Sequence, residues 1–418
     1  KGKTSVRGGF GIYDALPLTW QYLTTSTNPP FLWSNAIGGL AAGSFPTKAL
    51  QAFNTPTALA TRFVEQNPHR SYSMNWNLNV QHQIAPSLTA MVGYVGSSSV
   101  HLNWVQGDQN MVLPTLTSAG YLWPLKGTRL NPSVGAISAV FYDAKASYEG
   151  LQAQLTKRLS HGIQFQGAYT FGKCLDTSSS RIANDSYLNT LAGMMFFNTA
   201  MRPGLCDFQI AHNFAMSYVW ELPTARLGGV AGKHILGGWQ VGGIVSASTG
   251  IPFSLLMAGD PLGQLNSTPS DFPDRLGTPG CANPINPGNV NYIKLNCFTP
   301  PVAPPSFAAV CRPAAASVAA VIPNTCMNLF GNNGRNTLIG PGLVDFDFSV
   351  FKNIRIGEAL NIQFRTEFFN IFNRANFQAP IDNSTIFTQT GTLVGGAGAI
   401  DATTTTSRQI QFGLKLIW

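Results

Sequence analysis

Charge is scarce in this sequence. Only 11% of its 418 residues are charged, whereas an average soluble domain has about 25%. Long apolar runs are missing too, because no stretch approaches the roughly 18 apolar residues that a membrane-spanning helix needs. The mean hydropathy is nevertheless +0.06. A chain with little charge and no apolar runs must place its hydrophobic residues in alternation, which is typical of strands that offer lipid an apolar side chain at every second position.

Motifs for catalysis and metal binding are also missing. The sequence has no G-x-S-x-G elbow, no H-E-x-x-H pair and no C-x-x-C spacing, and its six histidines are dispersed. The segment from Gly228 to His234 resembles a phosphate-binding loop only loosely, because its spacing is short and His replaces Ser or Thr. These absences predict that the chain is not an enzyme and holds neither a cofactor nor a metal.

Clusters of basic residues are absent as well. The formal net charge is +8, but the Lys and Arg residues are scattered and form no run. The surplus therefore does not favour nucleic-acid binding. Attraction to the anionic lipopolysaccharide leaflet of an outer membrane is a simpler use for it.

The clearest pattern that is present lies between Arg70 and Ile84. Apolar side chains hold the even positions, Ser, Asn and Gln hold the odd ones, and only His82 breaks the apolar set. A helix would spread these residues around its circumference, whereas a strand sorts them onto two faces. About ten tilted residues cross the apolar band of a membrane, so this segment is long enough to span it. The even row comprises Tyr72, Met74, Trp76, Leu78, Val80 and Ile84.

Similar rows recur along the chain and predict about ten strands. Their opposite positions carry mainly Gln, Asn, Ser, Thr and Gly. A soluble sandwich would bury its apolar faces between two sheets, but the strand length and the low charge favour lipid. The further rows are Val6–Ile12, Leu88–Tyr94, Leu151–Leu159, Ile163–Phe171, Phe208–Leu222, Trp239–Ala247, Val344–Val350, Leu360–Phe368 and Ile410–Trp418.

The connections between these rows alternate between short and long. Outer-membrane barrels have short periplasmic turns and longer extracellular loops, so the alternation sets the orientation and places the C-terminus in the periplasm. The fold class predicted is all-β, a transmembrane antiparallel up-and-down β-barrel in the bacterial outer membrane. The long, extracellular connections are about 15–69, 103–146, 177–206, 252–342 and 374–407.

Four segments resemble the Oar-like branch of TonB-dependent outer-membrane receptors. They are YEGLQAQLTKRLSHGIQFQGAYTFGKCLD (148–176), GRNTLIGPGLVDFDFSVFKN (334–353), FRTEFFNIFNRANF (364–377) and the terminal RQIQFGLKLIW. The resemblance implies a barrel of about 22 strands with an N-terminal plug. It also implies a ligand that is bound outside and imported with energy passed on by the TonB complex.

The sequence departs from the family pattern because it contains no plug, no TonB-contacting box and about half of the strands. Lys1 to Asp14 already has the pattern of a strand, without the features of a signal peptide. We therefore expect residues 1–418 to be the C-terminal part of the barrel, an incomplete arc whose plug and first strands lie elsewhere in the same protein. Two alternatives are a self-contained ten-stranded outer-membrane enzyme and a structural or adhesive surface barrel.

Six cysteines fall at strand ends or in the long connections. An even number in an oxidising compartment suggests disulfides, although six cysteines allow 15 connectivities. Pairing of nearest neighbours in sequence would give Cys174 with Cys206, Cys281 with Cys297 and Cys311 with Cys326.

Four charged residues are expected to share the lumenal face, namely Asp345, Asp347, Arg365 and Glu367. If the turn between their strands centres near Ile356, Asp347 lies opposite Arg365 and Asp345 lies beside Glu367. The simpler interpretation is an ion-pair cluster that rigidifies the wall and contacts the plug. The sharper interpretation is a path for ligand or protons.

Aromatic residues have two further predicted roles. Those in the long connections could stack on an unknown extracellular ligand or pack a loop onto itself; they are Trp20, Phe31, Trp33, Trp104, Tyr121, Trp123, Phe196 and Phe197. The last strand ends in an aromatic residue after alternate apolar ones, which resembles the signal read by the barrel-assembly machinery. That signal would consist of Phe412, Leu414, Leu416 and Trp418.

Overall fold

A single antiparallel sheet of ten long strands dominates the structure. The computed structural model describes residues 2–17, 19–28, 43–53, 61–179, 196–223, 235–265, 271–356 and 360–418. Within them, each long strand pairs with the next long strand along the chain. The strands are β1 (Thr4–Asp14), β2 (Tyr72–Ala85), β3 (Leu88–Gln106), β4 (Ile137–Ser160), β5 (Ile163–Asp176), β6 (His212–Glu221), β7 (Trp239–Ser248), β8 (Leu343–Ile356), β9 (Leu360–Phe369) and β10 (Gln409–Ile417).

The register places the predicted apolar rows side by side on one face of this sheet, here called the apolar face. Many large hydrophobic side chains of these rows are exposed and not buried under a second layer; Phe10 and Phe412, for example, are 67% and 68% exposed. The prediction that the apolar rows share one face and are not buried between two sheets is therefore confirmed. Directly paired residues include Phe10 with Trp76, Tyr94 with Leu151, Tyr169 with Phe214, Val245 with Phe346, and Phe364 with Leu414.

Short and long connections leave opposite ends of the sheet. At the short end, Pro86 and Ser87 join β2 to β3, and His161 and Gly162 join β4 to β5. Both residues of the second turn have positive φ values, 54° and 77°. A two-residue turn of that kind matches the twist of the strands that it joins. The tight hairpins fix the register of the long strands on either side.

The strand bounds differ from the expected ones at three strands. β3 has 19 residues and β4 has 24, so both extend into the expected loop 103–146. An apolar band needs only about ten residues per strand, and these strands therefore continue well past it. Conversely, β6 begins only at His212. Phe208 and Ile210, which were expected to open this strand, precede it.

Shorter elements fill the long connections. Within the described residues they include the helices Thr19–Leu23, Thr47–Phe53 and Ala316–Ala319 and the 3-10 turns Thr24–Thr27, Thr199–Met201, Pro279–Cys281, Leu295–Cys297 and Pro305–Phe307. In the described part of the chain, no helix has the length and apolarity to cross a membrane. The short strands are Thr61–Val64, Thr115–Thr117, Gly120–Leu122, Gly204–Leu205, Pro252–Phe253, Leu256–Met257, Asp274–Arg275, Phe298–Thr299, Leu338–Ile339 and Thr385–Phe387.

The main buried core of the described residues lies outside the sheet. It joins the two long connections after β7 and after β9, where Leu256–Met257 pairs in parallel with Thr385–Phe387. We call the described residues of 107–136, 177–211, 249–342 and 370–408 the crown. Its largest core cluster comprises Phe253, Leu255, Met257, Cys281, Tyr292, Ile293, Cys297, Phe298, Ala314, Met327, Leu338, Ala379, Ile381, Ile386, Phe387 and Ala397.

Candidate functional site

The four predicted lumenal charges lie on the same face of the sheet but do not pair as expected. On this polar face, opposite the apolar rows, Arg365 lies across from Phe351. Asp347 lies across from Ile244 on the other side of its strand. The expected register was wrong because Ile356 does not lie at the centre of the turn but pairs with Leu360, which moves the midpoint between paired residues two positions beyond Ile356. A shift of two residues in a turn moves every cross-strand partner by four.

Arg365 and Asp347 therefore contact different partners and not each other. Arg365 donates to the side-chain oxygen of Gln363 at 2.7 Å, and its guanidinium lies 5.6 Å from the Phe351 ring. The Asp347 carboxylate accepts from the backbone N–H of Asn370 at 2.9 Å. Asp345, Asp347, Arg365 and Glu367 form no ion pair within the described chain. The expected ion-pair cluster is therefore not present.

An amide-rich recess of about 510 Å³ lies on the polar face near the short connections. Gln240 donates to Glu221 at 3.0 Å, and Gln363 donates to Asn353 at 2.9 Å. Amides offer both donors and acceptors without net charge. Sequence reasoning missed the recess because it singled out the charges on this face, although the regular spacing of Gln and Asn on opposing strands marks it.

The six cysteines form three disulfides in the structure. Cys174 pairs with Cys206, Cys281 with Cys297, and Cys311 with Cys326. These are the nearest-neighbour pairs considered from the sequence. The first ties the end of β5 to the segment before β6. The other two close loops within the connection from β7 to β8 and so brace the crown.

A buried polar network joins the crown to β5. The Arg335 side chain makes an ion pair with Asp176 and lies 3.6 Å from the Asp207 carboxylate. Asn336 donates to Asp207 at 2.7 Å. Burial raises the pKa of Asp207 to about 6, and the hydrogen bond from Asn336 opposes that shift. Buried polar groups that pair with one another rigidify the elements that they connect.

Other buried carboxyl groups of the crown serve structural roles. Burial raises the pKa of Asp271 well above its usual value, and the nearby charge of Asp260 raises it further. Asp274 accepts backbone N–H groups of Val302 and Asn332 at 3.0 and 2.9 Å. In the residues that the structure describes, no group of three or more His, Cys, Asp or Glu could hold a metal ion.

Two of the tryptophans considered for ligand contact are buried. Trp104 packs beneath the guanidinium of Arg202, 4.7 Å from its ring centre, and donates to Asp143. Trp123 donates to the carbonyl of Val112 at 2.8 Å within a small core that includes Leu262. Each is only 1% exposed, so both are closed to a ligand in this conformation. Trp123 packs within the crown, whereas Trp104 lies in β3 and contacts Arg202 of the crown. Trp33 lies outside the described residues.

The C-terminal apolar row is exposed. Phe412, Leu414, Leu416 and Trp418 are between 50% and 91% exposed. In the described chain the other edge of β10 has no strand partner, because β10 pairs with β9 alone. The row therefore lies on the surface of the described chain.

The chain was also compared with curated proteins and with solved structures. No curated protein matches the sequence. The folds of the outer membrane transporter YddB from Escherichia coli (TM-score 0.45, 9% identity) and the siderophore receptor PirA from Acinetobacter baumannii (TM-score 0.43, 8% identity) match 99% and 100% of this chain. The chain covers only 38% and 39% of those two proteins.

The sequence itself matches a defined family over nearly its whole length. The profile of the family described as outer membrane beta barrel domain covers residues 1–411. The exposed apolar face and the meander of long strands are what that family requires. This chain therefore belongs to the outer-membrane β-barrel domain family, and its location is the bacterial outer membrane.

Proposed function

We propose that this chain forms part of a TonB-dependent outer-membrane receptor of the Oar-like branch, which binds a ligand at the cell surface and imports it. The proposal depends on one observation, which is that the chain combines a two-faced sheet with a folded crown. The sheet of long strands, here called the wall, has one exposed apolar face and one polar face. The crown has its own buried core and two internal disulfides. A simple structural barrel does not need such a folded crown.

The two faces of the wall have different partners in this proposal. The apolar face contacts lipid, and its outer rim contacts lipopolysaccharide. The polar face lines the interior and contacts the plug through groups such as those of the amide-rich recess. The crown lies outside the cell, because the short connections lie on the periplasmic side of the membrane.

The two edge strands of the sheet support the proposal that this chain is an incomplete arc of a barrel. Within the described residues, β1 pairs only with β2 and β10 only with β9. Unpaired backbone groups each cost several kcal/mol in lipid, so both edges need partners. We propose that further strands of the same protein supply them, closing a barrel of about 22 strands, and that the plug and the TonB contact belong to that remainder. The terminal row, Phe412 to Trp418, engages the barrel-assembly machinery.

Depletion of ligands from the medium tests import. Cells with and without the protein, each with and without TonB, receive a defined mixture of oligosaccharides and peptides, and mass spectrometry measures what disappears. We expect one component to be depleted only when the protein and TonB are both present. Depletion that persists without TonB would indicate a passive channel, and binding without depletion would indicate an adhesive barrel.

A variant that lacks most of the crown tests whether the crown, and not the wall, is needed for import. Exchanging residues 252–342 for a short Gly-Ser linker leaves every long strand in place. The variant should still reach the outer membrane, as judged by fractionation, but should lose the depletion. A variant that imports as well as the original protein would show that the crown does not bind the ligand.

A further inference from the structure

The crown contains a cavity of about 820 Å³. One wall is the strand Phe298–Thr299, a second is the segment from Val318 to Ile322 that begins in the helix Ala316–Ala319, and a third runs from Phe387 to Leu393. Sites for small molecules have volumes of about 300–1,000 Å³ and mostly apolar walls. The cavity has the size and the character of such a site.

Both internal disulfides of the crown brace these walls. Cys297 directly precedes Phe298, and its bond to Cys281 holds that wall. The bond between Cys311 and Cys326 closes a loop that contains the second wall, from Val318 to Ile322, and Asn324. Two of the three walls are therefore covalently restrained, and preorganisation of this kind lowers the cost of binding.

The chemistry of the lining is apolar and neutral. None of the described residues that line the cavity carries a charge, and the polar ones are Asn, Ser and Thr. A charged ligand would lose its hydration without gaining a counter-charge, which is costly. The lining therefore discriminates against ionic ligands, including charged metal chelates.

One buried hydroxyl of the lining needs a hydrogen bond. Thr299 is 5% exposed, and its Oγ1 atom has no hydrogen-bond partner among the described residues. Leaving a buried hydroxyl unsatisfied costs about 1–3 kcal/mol. Thr299 lines the cavity, so a ligand group that reaches this hydroxyl would satisfy it.

The rim of the cavity is also apolar. Val321 is 80% exposed, Leu393 is 55% exposed and Val302 is 40% exposed. These residues belong to the crown and not to the apolar face of the sheet, so contact between the wall and lipid does not explain them. Clustered apolar exposure of this kind is typical of a binding site.

We infer that this cavity is a binding site for a neutral, mainly apolar small molecule that carries one hydrogen-bonding group, such as a long-chain alcohol. The volume and the braced walls favour a small molecule over a second copy of the chain. The inference concerns binding at the crown and does not rest on TonB-dependent import.

Photo-crosslinking in the native outer membrane tests the site. The probe is a long-chain alcohol that carries a diazirine and an alkyne, and the unlabelled alcohol is the competitor. We expect competed labelling on the peptides that contain Phe298–Val302 and Ser317–Ile322. Labelling of the apolar face, which lipid-dissolved probe also reaches, should not be competed and serves as the internal standard.

Two variants and one matched control make the result specific. Val321→Asp adds a charge at the rim and should reduce competed labelling about tenfold, and Ser317→Trp should reduce it by filling space. Val290→Asp makes the same change at a residue that is 53% exposed but does not line the cavity, and it should have no effect.

Three results would overturn the inference. The first is labelling of the crown that the unlabelled alcohol does not compete. The second is equal labelling in the Val321→Asp and Val290→Asp variants. The third is equally strong competed labelling by the matching carboxylate probe at pH 7, which would contradict selection for neutral ligands.

Discussion

Arg335 and Asp176 form an ion pair across 159 residues of sequence, with side chains that are only 4% and 5% exposed. The pair fastens the connection from β7 to β8 onto the end of β5. Asp207, 3.6 Å from the same guanidinium, adds a second carboxylate to the network. Because one Arg faces two buried carboxyl groups, it is the residue whose loss should matter most to the attachment of the crown.

Replacing Arg335 with Met should loosen the crown. The change removes the cation that is paired with the buried Asp176, and breaking a buried pair costs about 3–5 kcal/mol. The measurement is the protease sensitivity of the crown at increasing urea concentrations at which the barrel stays folded. Arg70→Met is the matched control, because the side chains of the Arg70–Asp14 pair are 75% and 42% exposed and exposed pairs contribute little to stability. Equal protease sensitivity of the two variants would refute the role given to Arg335.

The stability of the crown should depend on pH through Asp207. Its pKa in the folded protein, about 6, is higher than that of an unfolded Asp, about 3.9. The folded state therefore binds the proton more tightly, and the contribution of this group is fully present below pH 4 and is lost as the pH rises through 6.

The variant Asp207→Asn isolates this contribution, because its amide does not titrate. Relative to the original protein, the variant should gain stability between pH 4 and pH 6 and show a constant difference above pH 7. Urea titrations of crown proteolysis at several pH values measure it. A difference that stays constant from pH 4 to pH 7 would show that Asp207 titrates normally.

Disulfide trapping distinguishes the observed register of β8 and β9 from the expected one. Cysteines that replace Phe351 and Arg365 should cross-link on mild oxidation, because these residues lie directly opposite each other. Cysteines that replace Asp347 and Arg365 should not, because Asp347 is four residues further along its strand, about 13 Å away. Preferential trapping of the second pair would restore the register expected from the sequence.

The sheet could be predicted from the sequence because its two faces meet different solvents. Lipid on one side dictates the alternation from Tyr72 to Ile84. The period of two therefore predicts both that the segment is a strand and which of its side chains face lipid. The ends of strands are less constrained. Phe208 and Ile210 continue the apolar row of β6 but precede the strand, since a run of alternating residues does not itself mark where pairing begins.

The crown could not be predicted because its core has no sequence period. Phe253, Phe298 and Phe387 come from separate segments and meet only in the folded structure. The same limit explains Trp104 and Trp123, which cannot be distinguished from ligand-contacting residues until their burial is known. The cysteines were the exception, because closing the shortest loops costs the least chain entropy.

Both the location and the proposed import require that one face of the sheet contacts lipid and the other contacts water. Single cysteines at positions 74–80 of β2, in the native outer membrane, test this with a water-soluble and a lipid-soluble thiol reagent. We predict strict alternation: cysteines that replace Asn75, Asn77 and Asn79 react with the water-soluble reagent, and those that replace Met74, Leu78 and Val80 react with the lipid-soluble one. Uniform reactivity along the strand, or the opposite alternation, would contradict this facing.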